Sequence, residues 1–245
     1  MTDSQHGPRD SAGVPWGGRE LSGTGFDHDT GAADAALEAA LHDPSDEGAL
    51  MAAVSQARLL VPIVAEPVEL DESGALTAEK QTDMAAVTLV APDGQRALPV
   101  FTSLETLAAW DAAARPVPVT ASRAAQAAVS ERCDVMVVDV AGPRSVVLRP
   151  SMVWALAQQR TWLPAHQDEA VARAVAAAVQ PEAAVRAHQL APGRPAGQGI
   201  LAIVLDLEPG LAAAEVEAIA TRVGERLATD GELRARVDGL AFSIR

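Results

Sequence analysis

The stretch DVMVVDV at residues 134–140 is the clearest fold signal in the chain. It is rich in β-branched apolar residues, a composition typical of a strand that is buried on both faces. Gly142 and Pro143 then turn the chain into a second predicted strand at residues 145–148. Pro150 follows, at a position where a helix can begin. This succession of strands and a helix is typical of an α+β protein.

The chain before this stretch alternates between helical and extended patterns. Pro62 lies inside an apolar run and favours an edge position for that strand, because proline cannot donate a backbone hydrogen bond. Ser103 resembles a helix N-cap, although residue 106 is Thr where a capping box has Glu. Helices are predicted at residues 35–41, 46–57, from 103 onward and at 122–131, and strands at 59–64, 84–90, 97–101 and 116–119.

The last third of the chain repeats the alternation on a smaller scale. Strands at residues 183–189, 200–207 and 240–244, with a helix at 212–227, predict a small β-β-α-β sandwich. The predicted fold class is therefore α+β, with a mixed sheet and flanking helices plus a smaller C-terminal α/β sandwich. The predicted domains are a mobile N-terminal arm at residues 1–34, an α+β domain at 35–158, a helical connector at 159–181 and the small domain at 182–245.

Bulk composition argues against several classes of protein. A net charge of −14 and the absence of a Lys/Arg run argue against nucleic-acid binding, which needs a basic face. The N-terminus has no signal-peptide pattern and the apolar runs are too short for a membrane span, so the cytoplasm is the expected location. Cys133 is the only cysteine, which excludes an internal disulfide, and is interpreted as a small buried hydrophobe.

Four short motifs follow one another in a specific order: RLLVP at residues 58–62, ALPVFTS at 97–103, CDVMVVD at 133–139 and LRPSMVW at 148–154. In this order and spacing they resemble the N-terminal domain of the SseB (enhanced serine sensitivity) family. Further segments look like the actinobacterial branch of that family: WGGREL at 16–21, GFD at 25–27, EK at 79–80 and DM at 83–84. The resemblance implies an α+β fold and a cytoplasmic setting, and it implies no established reaction, cofactor or catalytic residue.

Three local patterns invite a chemical interpretation, and each lacks part of what its chemistry requires. Residues 27–29 (DHD) offer metal ligands, but consecutive residues rarely converge on one ion. Ser103, His166 and Asp139 have the residue types of a catalytic triad, but no Gly-x-Ser-x-Gly elbow surrounds a serine. The glycine-rich loop at 193–199 lacks Gly-Lys-Ser/Thr and precedes a strand, unlike a phosphate-binding loop. No catalytic residue, metal site or cofactor is predicted.

Tryptophan and arginine, the residue types that anchor protein interfaces, supply the remaining hypothesis. If Trp16 and Arg19 of the arm dock near Trp110, the arm covers a groove that a partner could otherwise occupy. The predicted interaction residues are Trp16, Arg19, Arg58, Lys80, Asp83, Trp110 and Trp154.

The leading interpretation is thus a non-enzymatic interaction or regulatory module. Its partner is an unknown protein or a second copy of the chain, and neither a nucleic acid nor a membrane is expected. One alternative is an enzyme with a composite cleft site that uses Arg58, Lys80 and Asp139. A further alternative is small-ligand binding by the C-terminal sandwich.

Overall fold

The computed structural model describes residues 25–65 and 84–245, and the chain divides into two compact units. The first unit is Met1–Thr30, and its described part, residues 25–30, forms a turn. The second unit is Gly31–Arg245, and it contains every helix and strand defined below.

Side chains at the helix starts set most of the helix boundaries. Asp34, Asp46 and Asp168 each accept a hydrogen bond from a backbone N–H of the first helical turn, as N-caps do. Ser103 and Thr106 form a reciprocal capping box, in which the threonine hydroxyl takes the role usual for Glu. The helices are α1 (Ala35–His42), α2 (Glu47–Gln56), α3 (Leu104–Trp110), α4 (Ala121–Ser130), α5 (Pro150–Ala157), α6 (Glu169–Val179), α7 (Ala213–Thr229) and α8 (Gly231–Arg234).

The strands within the described ranges form three sheets. They are β1 (Arg58–Ala65), β2 (Met84–Ala86), β3 (Leu89–Val90), β4 (Arg96–Val100), β5 (Arg115–Thr120), β6 (Val135–Val138), β7 (Val146–Leu148), β8 (Val185–Pro192), β9 (Ile200–Leu207) and β10 (Gly239–Ile244). The sheet β2-β1-β5 is antiparallel, whereas β3-β4-β6-β7 is mixed because β4 and β6 run parallel. In the third sheet, β10-β9-β8, β9 is parallel to β10 and antiparallel to β8.

The strand predicted at residues 84–90 is divided between the first two sheets. Its first half, β2, pairs with β1, whereas its second half, β3, pairs with β4. Between them, the backbone N–H of Val87 donates to the carbonyl of Pro62 at 3.2 Å. The edge position predicted for Pro62 is wrong, because β1 is the central strand of its sheet. Pro62 is tolerated there because its backbone N and O point away from β5, on the side where its carbonyl accepts the Val87 N–H, so its missing N–H breaks no bond to the facing Pro116.

A core of small and aliphatic side chains joins the first two sheets to helices α1, α2, α4 and α5. The buried residues of α4 are all alanines, and their small size lets the helix approach α5 and the sheet closely. Leu60 and Phe101 exchange two backbone hydrogen bonds, of 2.8 and 2.9 Å, which tie β1 to the end of β4. The buried alanines are Ala121, Ala124, Ala125 and Ala128.

A second core belongs to the C-terminal sheet. Every second residue of β9 is buried, and these side chains pack against α6 and α7. Helix α6 lies within the residues predicted as a connector, and it contributes Val171 and Val175 to this core. From β9 the chain crosses through α7 to the parallel neighbour β10, which is the β-α-β part of the predicted β-β-α-β unit.

The observed fold class is α+β, which confirms the prediction made from the sequence. The observed order of elements also includes the predicted C-terminal β-β-α-β unit. Among the helices of the described residues, none combines the length and the apolar character that a membrane span requires.

Candidate functional site

A groove of about 590 Å³ opens between α2, the start of α4 and the chain segment that follows α5. Three of the residues that line it are buried: Met51 of α2, Leu156 of α5 and Trp162. These large side chains give the groove an apolar floor. We call this cavity the groove.

The rim of the groove is polar but almost uncharged. Its hydroxyl and amide side chains are both donors and acceptors of hydrogen bonds. Among the described residues that line the groove, none is Asp or Glu, and the one cation is Arg160. The polar residues of the rim are Ser55, Gln56, Thr120, Ser122, Gln159 and Thr161.

A tight turn follows α5, and residues of this turn line the groove. The backbone N–H of Arg160 donates to Ala155 O at 2.8 Å and that of Gln159 to Leu156 O at 3.0 Å, the two bonds of a Schellman motif. Gln159 takes the left-handed position with φ 55°, where glycine is the usual residue. The turn places Gln159 and Arg160 on the rim and leads on to Trp162.

Arg160 is a weakly paired cation. Its guanidinium donates to Gln158 Oε1 and Ala235 O, both at 3.4 Å, and lies 3.9 Å from Asp168 Oδ2. The same carboxylate oxygen is only 2.7 Å from Arg236 Nη1, so Arg236 is its main partner. Burial and the neighbouring charge of Arg236 lower the pKa of Arg160 from its ordinary value.

Trp162 connects the groove to a network of charged residues behind it. Its indole N–H donates to Ser151 Oγ at 3.1 Å, and the guanidinium carbon of Arg149 lies 5.9 Å from the ring centroid. That distance is within the range of a cation–π interaction. Trp162 therefore contacts the groove on one side and Arg149 on the other.

Arg149, Glu47, Ser151 and Asp238 form what we call the Arg149 network. Arg149 Nε donates to Asp238 Oδ2 at 2.9 Å, and its two terminal nitrogens donate to the carboxylate of Glu47. Arg149 Nη1 also donates to Gly197 O at 2.9 Å, in the loop between β8 and β9. Burial alone lowers the pKa of Arg149, but the hydrogen bonds to Glu47 and Asp238 outweigh it and raise the pKa overall.

Asp238 caps helix α5 from a distant part of the sequence. Its carboxylate accepts hydrogen bonds from the Ser151 N–H at 2.7 Å and from Ser151 Oγ at 2.8 Å. Arg149 stands at the N-cap position itself and provides no side-chain cap. Gly199, which has a φ of 67°, lies against the same carboxylate. A Cβ at this position would overlap Asp238 Oδ2 and would lie 2.6 Å from Arg149 Nε. The C-terminal sheet is therefore bonded to the start of α5 through side chains.

A cavity of about 120 Å³, the junction cavity, lies beside the Arg149 network. Arg149, His166, Arg236 and Asp238 are among the residues that line it, together with glycines of the β8–β9 loop. Arg236 pairs with Asp168 and with Glu232, and Arg149 pairs with Glu47 and Asp238. The arginines of the cavity wall thus have carboxylate partners within the protein.

The structure separates the predicted interaction residues that it describes. Arg58 donates to Thr102 O at 2.9 Å, and Trp110 packs against Phe101 with ring centroids 5.3 Å apart, so both lie beside the link from β4 to α3. Trp154 is 40% exposed and lines a different cavity, of about 270 Å³. The other predicted interaction residues, Trp16, Arg19, Lys80 and Asp83, lie outside the described residues. The docking of the arm near Trp110 therefore stays a prediction.

The carboxylate of Asp139 accepts hydrogen bonds from Thr102, which follows the end of β4. Its two oxygens accept hydrogen bonds from the N–H of Thr102 at 2.9 Å and from Thr102 Oγ1 at 2.7 Å. Ser103 caps α3 through its hydroxyl, which accepts the Thr106 N–H. His166 lines the junction cavity, whose lining includes neither Ser103 nor Asp139. The structure therefore gives these residues separate roles and does not assemble them as a triad.

Two further observations concern the reactivity of the cysteine and the binding of metal ions. Cys133 is buried, as predicted, and burial raises the pKa of its thiol above the ordinary value. Across the described ranges, no group of three or more His, Cys, Asp or Glu side chains is placed to hold a metal ion.

Sequence reasoning did not find the residues of the groove. Trp162 and Arg160 were not among the predicted interaction residues, although an indole and an arginine two residues apart in a short nonhelical stretch are a usable signal. The role of Asp238 has no local signal, because its partner Ser151 is 87 residues away in the sequence.

Residues 34–155 match the family model described as SseB protein N-terminal domain. The match runs from the N-cap of α1 into α5 and includes Arg149 and Ser151, whereas Trp162 and Asp238 lie beyond it. The comparisons with curated proteins and with solved structures found no match. The chain therefore belongs to the SseB family, and its SseB N-terminal domain is at residues 34–155.

Proposed function

We propose that the protein is a non-enzymatic interaction module and that it binds a peptide segment of a partner protein in the groove. The observation that carries this proposal is the composition of the groove: an apolar floor inside a rim of hydroxyl and amide side chains. Binding sites for ligands typically combine an apolar surface with a few polar groups that fix orientation.

The floor and the rim of the groove suit different parts of a bound peptide. The floor of Met51, Leu156 and Trp162 suits an apolar anchor side chain, since methionine and tryptophan are common at binding surfaces. The amides of Gln56 and Gln159 can donate to and accept from a peptide backbone. The volume of about 590 Å³ lies within the range of ligand sites, roughly 300–1,000 Å³.

The hydrogen bonds of Arg58 and Asp139 give the enzyme alternative less support. A catalytic group must reach a substrate atom with a free donor or acceptor. Asp139 instead bonds Thr102 through both oxygens, and Arg58 donates to the carbonyl of the same residue. These hydrogen bonds favour a structural role for Arg58 and Asp139.

The test is selection of binders from a random dodecapeptide library displayed on phage, with the full chain as the target. Ala52→Trp places a large side chain in the groove from an exposed position on α2. Ala172→Trp makes the same change on the exposed face of α6, outside the groove, and is the matched control.

We expect peptides that bind the wild-type chain and the Ala172→Trp variant equally, and that bind Ala52→Trp at least about tenfold more weakly, because the added indole fills the site. Peptides that bind all three chains equally would place the interaction elsewhere and overturn the proposal. The absence of any enriched peptide would overturn it as well.

A further inference from the structure

We infer that the bound segment carries one Asp or Glu side chain, flanked by apolar residues, and that this carboxylate pairs with Arg160. The inference rests on the proposed function of the groove and specifies the chemistry of its partner. It follows from the charges that line the groove and from the charge of the whole chain.

Arg160 has an incomplete set of partners. Its hydrogen bonds to Gln158 and Ala235 are long, at 3.4 Å, and the carboxylate 3.9 Å away is held more closely by Arg236. A guanidinium gains most from a carboxylate that it binds through two parallel hydrogen bonds. None of these three contacts of Arg160 is of that kind, so a partner's carboxylate supplies what the protein does not.

The start of helix α4 adds a second favourable interaction at the same site. Thr120, the N-cap of α4, and Ser122 in its first turn both line the groove. The first turn of α4 has no acidic residue of its own. Helix N-termini carry a partial positive charge and favour anions, so α4 and Arg160 act in the same direction on a bound carboxylate.

The net charge of the chain limits how acidic the partner segment can be. At −14, the protein repels a run of carboxylates, and within the described lining of the groove only Arg160 is a cation. At physiological salt, charges farther apart than about 8 Å are largely screened, whereas a contact pair is not. A single carboxylate among apolar residues therefore fits the groove and its floor better than an acidic stretch.

The test uses the same displayed dodecapeptides on four full-length chains: wild type, Arg160→Gln, Arg160→Lys and Arg173→Gln. Arg173 lies on the exposed surface of α6, with a side chain 73% exposed, and serves as the matched loss of one positive charge. Circular dichroism of each chain checks that the fold is kept.

Peptides selected on the wild type and on Arg173→Gln are expected to contain one Asp or Glu in an apolar context. Changing that residue to Asn or Gln in a synthetic peptide should weaken binding to the wild type about tenfold and leave binding to Arg160→Gln unchanged. Arg160→Lys should keep part of the preference, because it keeps the charge without the bidentate geometry.

The two proposals fail in different ways. Peptides that depend on the groove, as shown by Ala52→Trp, but that show no acidic preference would overturn this inference and leave the proposed function in place. An acidic preference that Arg160→Gln retains would also overturn it. Peptides that are insensitive to Ala52→Trp would overturn both proposals.

Discussion

Arg149 Nε donates to Asp238 Oδ2 at 2.9 Å, and this contact joins the start of helix α5 to the residue that precedes β10. The two side chains are 13% and 7% exposed, so the pair is largely removed from water. Breaking a buried ion pair by removing one partner is costly, because the other charge is left without compensation.

Arg149→Met is therefore expected to lower the free energy of unfolding by about 3 kcal/mol. The same substitution at Arg173, whose partner Glu169 is 94% exposed, should change it by less than about 0.5 kcal/mol. Urea denaturation followed by circular dichroism measures both. Equal effects of the two substitutions would show that the Arg149 network contributes little to stability.

Gly199→Ala should destabilise the protein more than Gly197→Ala. Both glycines have a positive φ, of 67° and 77°, so an alanine costs about 1–2 kcal/mol of backbone strain at either position. At Gly197 the added Cβ meets nothing within 4 Å, whereas at Gly199 it collides with Asp238 and Arg149. Melting temperatures of the two variants, compared with wild type, measure the difference. A smaller loss for Gly199→Ala would contradict the packing of this loop.

Gln159→Gly should stabilise the protein. Gln159 has φ 55° at the end of α5, a conformation that glycine adopts without the roughly 1 kcal/mol penalty of a residue with a Cβ. We expect a gain of about that size in the free energy of unfolding. Gln180→Gly is the control, because Gln180 has ordinary helical angles and glycine there should cost about 0.5 kcal/mol. A loss of stability in Gln159→Gly would mean that its side chain has a structural role.

Glu182 should make stability depend on pH in the acid range. Hydrogen bonds from Arg222 in the first place, and from Arg226, lower the pKa of Glu182 from 4.5 to about 2. Because the folded pKa is depressed, the stabilisation is complete above pH 4.5 and is lost as the pH falls toward 2. The stability difference between wild type and Glu182→Gln should thus be largest above pH 4.5 and shrink below it. Urea titrations at a series of pH values measure this difference, and a difference independent of pH would contradict the ion pairs.

The sequence predicts those parts of the fold that have a local cause. The strand predicted at residues 134–140 is observed as β6 (Val135–Val138), and the predicted helix begins at Pro150, because apolar composition and proline act within a few residues. The division of residues 84–90 between two sheets was not predicted. The one polar residue of this stretch, Thr88, is itself common in strands and gives no sign of the point at which the chain leaves one sheet for another.

The candidate site was less predictable than the fold for a related reason. Trp162 acquires its role from Ser151 and Arg149, and Arg149 acquires its own from Glu47 and Asp238, which are 102 and 89 residues away. No periodic pattern in the sequence indicates contacts between residues that are so far apart along the chain. The capping box of α3 was missed by residue type alone, because the hydroxyl of Thr106 replaces the carboxylate that the pattern requires.

The position of Trp162 gives the molecule an internal optical reporter. Its indole forms part of the groove floor and also lies beside the guanidinium of Arg149. The wavelength of its fluorescence emission therefore depends on the polarity of the groove and of the Arg149 network. The chain has four tryptophans and no tyrosine, and replacing the other three with phenylalanine leaves a single emitter. A chain prepared in this way would report the occupancy of the groove through a shift in wavelength, without an attached dye.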